Sequence, residues 1–422
     1  MREALQSALL IRYWGRKAGD IAEPYIKGYS KINDVVLDPF GGAGSIVKTA
    51  LSLNRKAIYV DANPFAALIA KVEIEGVDAN ELTRATNILL NTQHFSDFYQ
   101  VQCKCGLKAT VLYYLWENGE VKAAKVKCKC GNSWVNTVNK TSLIPSCENN
   151  FPKVEFKYKN GRPFLKRRQV NYVHQLFSPR NLLILSSLYE KIKNIQVTPR
   201  TKRGLYVAFA SILYQASRMS RLNSGSWGIN SYWIPRIHVE RNPLQLFKNA
   251  VHRLERIKPL ALAVNKAEAV INGKEKIAIL NEDAREMPIP DNSVDLIITD
   301  PPFTDEVQYF ELSFMAASWL RLPMPFEKEI IINPNQGKTA NVYYSSLYKA
   351  FLEMHRTLKK NGIAVIMLHD ENPAIISNLT ELVENTGFRC VKKEKRQMMQ
   401  RHVGDRDRLR GKDLFILTCK KL

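Results

Sequence analysis

Residues 35–44 read VVLDPFGGAG, and this stretch decides the fold of the chain. Three apolar residues predict a buried strand, the glycines predict a tight turn, and the following residues 45–50, SIVKTA, predict a helix with Ser45 as its N-cap. Gly42 and Gly44 leave no side chain where the backbone must approach a ligand at the carboxyl edge of a parallel sheet. The stretch therefore predicts a site for a nucleotide-like cofactor, although a purely structural turn would use the same glycines.

A second predicted strand supports this cofactor site. Residues 56–60 read KAIYV and end directly before Asp61. An acidic residue at about this distance from the glycine turn holds the ribose hydroxyls in dinucleotide-binding folds. The third glycine of a dinucleotide fingerprint is absent. The two strands together predict the first half of an α/β sheet.

The second informative motif is Asp300-Pro301-Pro302-Phe303, which follows a buried-strand run at residues 294–299. An exocyclic amine on a nucleobase is a poor nucleophile because its lone pair is delocalised into the ring. Asp300 and the carbonyl of Pro301 can each accept a hydrogen bond from such an amine, while prolines bring no competing donor and fix the backbone. Phe303 would stack on the base, which must be flipped from a duplex or taken from a single strand. The motif therefore predicts methyl transfer to a base amine.

Together the two motifs resemble those of the S-adenosylmethionine-dependent DNA amino-methyltransferases, most closely the prokaryotic adenine-specific DNA methylases that carry a zinc ribbon. Three further segments are similar to segments of that family, at residues 13–26, 176–182 and 305–309. The resemblance spans residue 13 to about residue 370 and is strongest at the two motifs. It implies a Rossmann-like methyltransferase sheet, split by an inserted zinc ribbon and by a basic, mostly helical region.

The resemblance also implies roles for individual residues. Many relatives have Tyr where this chain has Phe303, which keeps the stacking face and removes the hydroxyl. In the family, Asp at the first motif position goes more often with adenine N6 and Ser with cytosine N4, so Asp300 favours adenine. Asp300, Pro301, Pro302 and Phe303 would form the catalytic set; Asp38, Phe40, Gly42 and Gly44 would line S-adenosylmethionine; Asp61 would bind its ribose; and Asp283 would sit by its adenine.

The cysteines form two matching Cys-x-Cys-Gly knuckles, and the residues between them, 109–115 and 121–126, read as hairpin strands. This arrangement predicts a four-cysteine zinc ribbon, although the spacing is not the commoner Cys-x2-Cys and two disulfides or four free thiols are the alternatives. Four thiolates leave no open position for water, so the zinc would be structural. The expected ligands are Cys103, Cys105, Cys128 and Cys130, and the other cysteines, Cys147, Cys390 and Cys419, read as small core or surface residues.

Charge is the third signal. The chain carries a formal net charge of +22, and residues 153–203 hold 13 Lys or Arg against 2 Glu. Residues 157–168 interleave aromatic with basic side chains, as expected for a surface that follows a phosphate backbone. The alternative is a solvated basic loop. Lysines of the ribbon, such as Lys125 and Lys127, could likewise meet phosphate or only face water.

Length and composition agree with one large α/β core and smaller modules, with no run long enough to cross a membrane. We expect a cytoplasmic protein because no export segment is recognisable. The expected layout is residues 1–92, first half of the methyltransferase core; 93–148, zinc ribbon; 149–272, basic helical region for target recognition; and 273–422, second half of the core.

Several functions stay open at this point. Transfer of methyl to adenine N6 of DNA leads, and cytosine N4 uses the same geometry. An RNA guanine N2-methyltransferase shares a similar glycine loop and an Asp-Pro-Pro-aromatic motif. The non-enzyme alternative is a zinc-ribbon protein that binds nucleic acid with an inactive core. DNA is the expected partner, RNA is the alternative, and a partner restriction endonuclease is left open.

Overall fold

The elements of the fold follow the apolar runs of the sequence. The computed structural model describes residues 19–91, 95, 97–136, 151–164, 170–222, 232–369, 372–397 and 413–422. Within these residues the strands are β1 (Val35–Asp38), β2 (Lys56–Val60), β3 (Gln100–Gln102), β4 (Lys108–Glu117), β5 (Glu120–Cys128), β6 (Gly131–Asn136), β7 (Ile237–Arg241), β8 (Ile277–Leu280), β9 (Val294–Thr299), β10 (Leu358–His369), β11 (Phe388–Gln397) and β12 (Asp413–Lys421).

The helices of the described residues surround these strands. Most begin at a Ser, Thr, Asn or Asp whose side chain accepts a hydrogen bond from the first turn, often with Pro at the first helical position. They are α1 (Gly19–Tyr29), α2 (Ser45–Ser52), α3 (Pro64–Glu75), α4 (Ala79–Leu90), α5 (Pro179–Asn194), α6 (Pro199–Ala216), α7 (Pro243–Leu254), α8 (Ala267–Ile271), α9 (Tyr309–Leu320), α10 (Ala340–Thr357) and α11 (Pro373–Glu384). None of these helices is both long and apolar enough to pass through a membrane.

The central sheet has seven strands in the order β11-β12-β10-β9-β1-β2-β8. Its neighbours are parallel except for β12, which runs antiparallel between β10 and β11. Every residue of β1 and β8 is buried, as expected for a sheet covered on both faces. The chain leaves β1 toward β2 on one side and leaves β9 toward β10 on the other, so a topological switch point lies between β1 and β9.

Alternate residues of the strands point to opposite faces of the sheet and pack in two separate apolar cores. One core lies between the sheet and α1, α2 and α3, and it contains residues such as Val36 and Leu296. The other lies between the sheet and α8, α10 and α11, and it contains residues such as Leu37 and Ile297. Helices on both faces of a mostly parallel sheet confirm the predicted α/β architecture.

The segment between β2 and β8 forms a second body of structure. Its antiparallel sheet runs β3-β4-β5-β6, with β7 paired to the free side of β4. Asn118 and Gly119 both have positive φ in the two-residue turn between β4 and β5, which is the requirement of a tight hairpin. The helices α5, α6 and α7 pack with α3, α4 and α9 in a large apolar cluster. β7 therefore ties the ribbon sheet to the part of the chain that was predicted as a helical region.

One helix end lies close to its predicted place, and one cysteine pair differs from its prediction. The sequence predicts a helix that ends at Leu358, with Asn361-Gly362 as the stop beyond it. Helix α10 ends one residue earlier, at Thr357, because Leu358 is buried and pairs with Val294 of β9, and Asn361 takes its positive φ at an irregularity inside β10. Cys390 and Cys419 were expected to be separate, yet they are cross-strand partners of β11 and β12 and form a disulfide.

Some sequence features lie outside the described residues. They are Cys147, the family-like segment at residues 13–17, the end of the basic run at residues 165–168, the polar loop at residues 223–228 and the charged loop at residues 404–411.

Candidate active site

The predicted cofactor and catalytic residues converge at one edge of the central sheet. Asp38 ends β1, Asp61 follows β2, and Asp300 follows β9, so all three lie at carboxyl ends of parallel strands. They line one cleft of about 910 Å³ at the switch point, its open mouth included. Phe40, Gly42, Asp283 and Pro302 line the same cleft. The two motifs, far apart in sequence, therefore build a single site.

The glycine loop is held by hydrogen bonds and by close packing. The amide of Gly42, which has φ 50°, donates to Oδ2 of Asp61 at 2.8 Å, and the hydroxyl of Tyr59 donates to the Gly42 carbonyl at 2.7 Å. A Cβ at Gly41 would lie 2.2 Å from the Tyr59 ring, so this position has no room for a side chain. Gly41 was not singled out from the sequence, since the requirement depends on a ring from the next strand.

Gly44 and Ser45 differ from expectation. Gly44 has φ 79° and is itself the N-cap of α2, whereas Ser45 is the first helical residue. A Cβ at Gly44 would lie 3.0 Å from the Cβ of Ala70 on α3. Backbone conformation and helix packing therefore both require a glycine at this position.

Asp38 joins the two motifs. Its carboxylate is 1% exposed and accepts hydrogen bonds from the Thr299 hydroxyl at 2.9 Å and from the Phe40 amide at 3.2 Å. Burial raises the pKa of Asp38 to about 7, although both hydrogen bonds lower it. Thr299 directly precedes Asp300, so this contact fixes the catalytic motif against the cofactor loop.

Asp61 is held in a similar way. Oδ1 accepts from the Asn63 amide at 2.8 Å, while Oδ2 accepts from Gly42 as described. Burial raises the pKa of Asp61 to about 6, against the effect of these two hydrogen bonds. Each carboxylate oxygen has a further lone pair, so Asp61 can still accept a hydroxyl from a ligand in the cleft.

Asp283 lines the cleft with its carboxylate already paired. Nε of Arg285 lies 2.9 Å from Oδ1, and a terminal nitrogen of Arg285 lies 2.6 Å from Oδ2. The same guanidinium donates to the Glu327 carbonyl at 3.1 Å. Arg285 therefore fixes Asp283 against the segment that forms the opposite wall.

The catalytic motif divides between the cleft and the core. Asp300 and Pro302 line the cleft, Pro301 is buried, and the carbonyl of Pro302 accepts from the Tyr343 hydroxyl at 2.9 Å. The ring of Phe303 is partly buried in the core between the sheet and α10. Phe303, predicted to stack on a base, thus packs within the protein in this structure.

His369, which the sequence motifs do not single out, lies beside the catalytic motif. Its Nε2 is 3.9 Å from Oδ1 of Asp300, and its ring meets the Phe303 ring edge to face with centroids 5.5 Å apart. His369 ends β10, the neighbour of β9 in the sheet, and no local pattern in the sequence marks this placement. The histidine and Phe303 together brace the side of Asp300 away from the cofactor loop.

The wall opposite the glycine loop was not predicted. It consists of Tyr309 and Phe310 at the start of α9 and of Lys328, Glu329 and Ile330. Burial, with smaller contributions from the carboxylates of Asp300 and Asp61, raises the pKa of Tyr309 above its ordinary value. The Tyr309 hydroxyl therefore lies in a buried position near both motifs.

Glu329 anchors this wall. Its Oε1 accepts from the Phe310 amide at 3.0 Å, and burial raises its pKa to about 7. The ammonium of Lys338 donates to the carbonyls of Phe326 and Glu329, both at 2.5 Å, and burial lowers the pKa of Lys338 to about 8. Such contacts come from tertiary packing, so no motif in the sequence signals them.

A buried polar network connects α9 with the basic segment. The Tyr158 hydroxyl donates to Glu311 on α9, and the Asn333 amide donates to the Tyr158 oxygen at 2.8 Å and to Gln308 at 2.7 Å. Gln308 and Glu311 flank Tyr309, which lines the cleft. The network therefore fixes the start of α9 from the side of the insertion.

The four predicted zinc ligands come together at the end of the ribbon. All four Sγ atoms lie within 4.8 Å of one another. The Cys103 and Cys130 sulfurs are 3.5 Å apart, and the Cys105 and Cys128 sulfurs are 3.6 Å apart. A tetrahedral zinc with Zn–S bonds of about 2.3 Å has S–S edges of about 3.8 Å. The number, chemistry and spacing of these donors therefore fit a structural zinc ion.

Comparison with known proteins finds similarity to DNA methylases. The sequence model of a family described as DNA methylase matches residues 13–72, which include the glycine loop and Asp61. The chain is also 21% identical over 430 aligned residues to the type II methyltransferase M.MjaII of Methanocaldococcus jannaschii, and the alignment covers 94% of the chain and 77% of that relative.

Solved structures show weaker likeness to the chain. A proposed DNA modification methylase from Thermus thermophilus is 17% identical with a TM-score of 0.21, over 33% of the chain and 52% of that structure, so the chain spans about half of its length. An S-adenosylmethionine-dependent methyltransferase from Corynebacterium glutamicum is 8% identical with a TM-score of 0.30, over 96% of the chain and 89% of that structure. Scores at this level support no inference.

Proposed function

We propose that the protein transfers a methyl group from S-adenosylmethionine to an exocyclic amine of a DNA base, with adenine N6 as the acceptor. The observation that carries the proposal is the shared cleft, in which the glycine loop and Asp61 face Asp300 across a topological switch point. The match of residues 13–72 to a DNA methylase family and the likeness to a type II methyltransferase support DNA as the substrate.

The cofactor half of the cleft suits an adenosyl ligand. Asp61 can accept ribose hydroxyls, and Gly42 brings backbone rather than a side chain to the cleft. Phe40 adds an apolar surface at the same edge. Asp283, held by Arg285, can accept a hydrogen bond from the exocyclic amine of the cofactor's adenine. Several carboxylates around one cleft also favour a cationic sulfonium.

The acceptor half orients the base amine. S-adenosylmethionine supplies an electrophilic methyl group, whose bond to sulfur breaks as the amine nitrogen forms its new bond to carbon. Asp300 accepts a hydrogen bond from one N–H of the amine and holds the nitrogen lone pair toward the methyl group, and the methylated amine then releases one proton to solvent. The Thr299 contact to Asp38 and the Tyr343 contact to the Pro302 carbonyl keep the motif that carries Asp300 in place. Asp300 is the catalytic residue of the proposal.

Mass spectrometry of nucleosides tests the reaction. The purified protein is incubated with labelled S-adenosylmethionine and either unmethylated plasmid DNA or total RNA, and each nucleic acid is digested and analysed. We expect labelled N6-methyladenine in DNA. Labelled N4-methylcytosine would overturn the choice of base, and N2-methylguanine in RNA alone would overturn DNA as the substrate.

Asp300→Asn is the matched catalytic variant, since it keeps the size of the side chain and removes the charge. We expect methyl transfer to fall about a hundredfold or more, because the amine loses a charged acceptor. Calorimetry should show unchanged binding of S-adenosylmethionine. Loss of cofactor binding in this variant would contradict the assigned role of Asp300.

Zinc in the ribbon is a further part of this proposal. The donor set fits the ion, and four thiolates leave no position for a reacting water, so zinc would act by holding the ribbon. A partner restriction endonuclease stays a prediction.

A further inference from the structure

The outer face of the ribbon sheet carries a row in which basic and aromatic side chains alternate. Arg241 on β7 pairs with Tyr113 on β4, Tyr113 pairs with Lys125 on β5, and Lys125 pairs with Trp134 on β6. Cross-strand partners point to the same face of a sheet. These four residues are called the cation–aromatic row below.

The members of the row contact one another. The Arg241 guanidinium lies 5.5 Å from the Tyr113 ring centroid, and the Lys125 ammonium lies 5.3 Å from the Trp134 ring centroid. The Tyr113 and Trp134 rings meet edge to face at 5.7 Å. Trp134 is 37% exposed, which is uncommon for so large an apolar side chain. The rings thus hold two cations in set positions. Tyr113, Lys125 and Arg241 are partly exposed, and Nε of Arg241 also donates to the Ser220 hydroxyl at 3.3 Å.

The ribbon around the row is predominantly positively charged. Between residues 100 and 136 the acidic residues are Glu117 and Glu120, and both stand beside the β4–β5 turn. Six lysines share this stretch, at positions 104, 108, 122, 125, 127 and 129. A basic sheet face with interleaved aromatic rings complements a polyanion such as a nucleic-acid backbone.

The opposite face of the same sheet is buried and anchored. Trp116 Nε1 donates to Glu240 at 2.7 Å, and Arg180 at the start of α5 lies 3.3 Å from the same carboxylate. The Tyr99 hydroxyl donates to Oδ1 of Asn181 on α5, and the Asn181 side-chain amide donates to the Arg241 carbonyl at 3.0 Å. The sheet is therefore fixed on α5 rather than joined to the protein only by its ends.

A continuous path of packing leads from this sheet to the cleft. Helix α5 packs on α6, and α6 packs on α9, whose first residue, Tyr309, lines the cleft. The cation–aromatic row therefore keeps a set position relative to Asp300. A DNA molecule bound to both would be held at two points.

We propose that the cation–aromatic row binds the phosphate backbone of the DNA substrate at a distance from the target base. The inference rests on the proposed function for the identity of the nucleic acid. Lys125 and Arg241 would contact phosphate oxygens, and Trp134 would support them and cover the adjoining sugar. Because phosphates carry no sequence information, this surface contributes affinity and register rather than choice of sequence.

Fluorescence anisotropy with a labelled DNA duplex tests this assignment in the full-length protein. The variants are Lys125→Ala and Trp134→Ala, with Lys122→Ala as the matched control. Lys122 lies on the same strand but pairs with Glu120 at 2.7 Å beside the turn, so its removal changes charge equally outside the row. Circular dichroism and thermal unfolding report whether each variant is folded.

We expect Lys125→Ala to lower the slope of log affinity against log salt by about one, which corresponds to about eightfold weaker binding at about 0.1 M salt. Trp134→Ala should also weaken binding, and both effects should be equal on duplexes of unrelated sequence. Lys122→Ala should bind like the wild type. The rate of methyl transfer at saturating DNA should not change.

The proposal is overturned if folded Lys125→Ala and Trp134→Ala bind DNA as Lys122→Ala does. It is also overturned if their losses depend on the sequence of the duplex, since that would indicate base contacts. Failure of the proposed function is seen separately, as absence of methylated nucleosides from the wild-type reaction, because anisotropy detects binding whether or not transfer occurs.

Discussion

At the scale of single residues, the site is dominated by carboxylates that are buried before any ligand arrives. Asp38 and Glu329 lie on opposite walls, and burial raises the pKa of each to about 7. Burial of such groups is costly in their charged form. Strands and hydrogen bonds hold these carboxylates in place, so their burial lowers the stability of the folded protein. The same arrangement prepares the cleft for a cationic ligand.

The raised pKa of Asp38 leads to a pH prediction. Its folded-state pKa exceeds the ordinary value of 3.8, so the stability that it contributes is full below about pH 4 and is lost as pH rises to about 7. Asp38→Asn keeps the acceptor for Thr299 and Phe40 and removes the charge. Relative to the wild type, this variant should gain stability over that range, by up to about 1 kcal/mol per pH unit.

Urea unfolding of the unliganded protein at several pH values measures this difference. Ser52→Ala, at the exposed end of α2, serves as a control that should keep the wild-type dependence on pH. Parallel stability curves for the wild type and Asp38→Asn between about pH 4 and 7 would show that Asp38 is not buried as a charge in the folded protein.

Gly41 provides a second prediction at this scale. A Cβ there would lie 2.2 Å from the Tyr59 ring, so Gly41→Ala should lower the free energy of unfolding by about 1–3 kcal/mol and displace the loop that faces the cofactor. Gly28→Ala on α1 is the matched control, since no atom lies within 4 Å of its Cβ position. Chemical unfolding and calorimetry with S-adenosylmethionine measure both effects, and equal stability of the two variants would refute the steric argument.

At the scale of elements, the ribbon sheet combines a small core with two anchors. Its apolar cluster includes Val111, Val126 and also Ile184 of α5, so part of its core comes from outside the ribbon. One end is fixed by the Glu240 and Arg180 contacts, and the other end carries the four cysteines. The strand ends near the cysteines therefore depend most on the metal.

Removal of zinc should have a local effect. Metal analysis should find one zinc per chain, and chelation should increase hydrogen exchange in β3, β5 and β6 while the seven-stranded sheet stays protected. Cys105→Ser should lose the metal, whereas Cys390→Ser, outside the cluster, should keep it. Absence of zinc from the wild type, or retention of zinc in Cys105→Ser, would rule out this assignment.

At the scale of the whole molecule, sequence patterns predict the strands and turns that depend on residues adjacent in the chain. Strands β1, β2 and β9 and the β4–β5 hairpin were all visible as apolar or alternating runs. Their carboxyl-end carboxylates, Asp38, Asp61 and Asp300, meet in the cleft as expected. A strand followed by a glycine turn or by a catalytic tetrapeptide is a local signal, and parallel sheets bring such ends to one edge.

The remaining features depend on contacts between distant segments. The Glu329 wall, the place of His369 beside Asp300 and the pairing of β7 with β4 have no motif of their own. The disulfide between Cys390 and Cys419 shows the same limit, since these residues meet only through the pairing of β11 with β12. Tertiary packing determines these positions, and the local patterns of a single sequence do not show which distant segments pack together.

The position of the insertion also has a consequence for folding. The Asn281 side chain donates to the Asp61 carbonyl at 2.8 Å across 220 residues of chain, because β2 and β8 are neighbours in the sheet. Closing so long a loop costs entropy and slows the formation of contacts between its ends. We therefore expect the rate at which the active site assembles to depend on how readily the inserted segment becomes compact, and so on residues that lie far from the site.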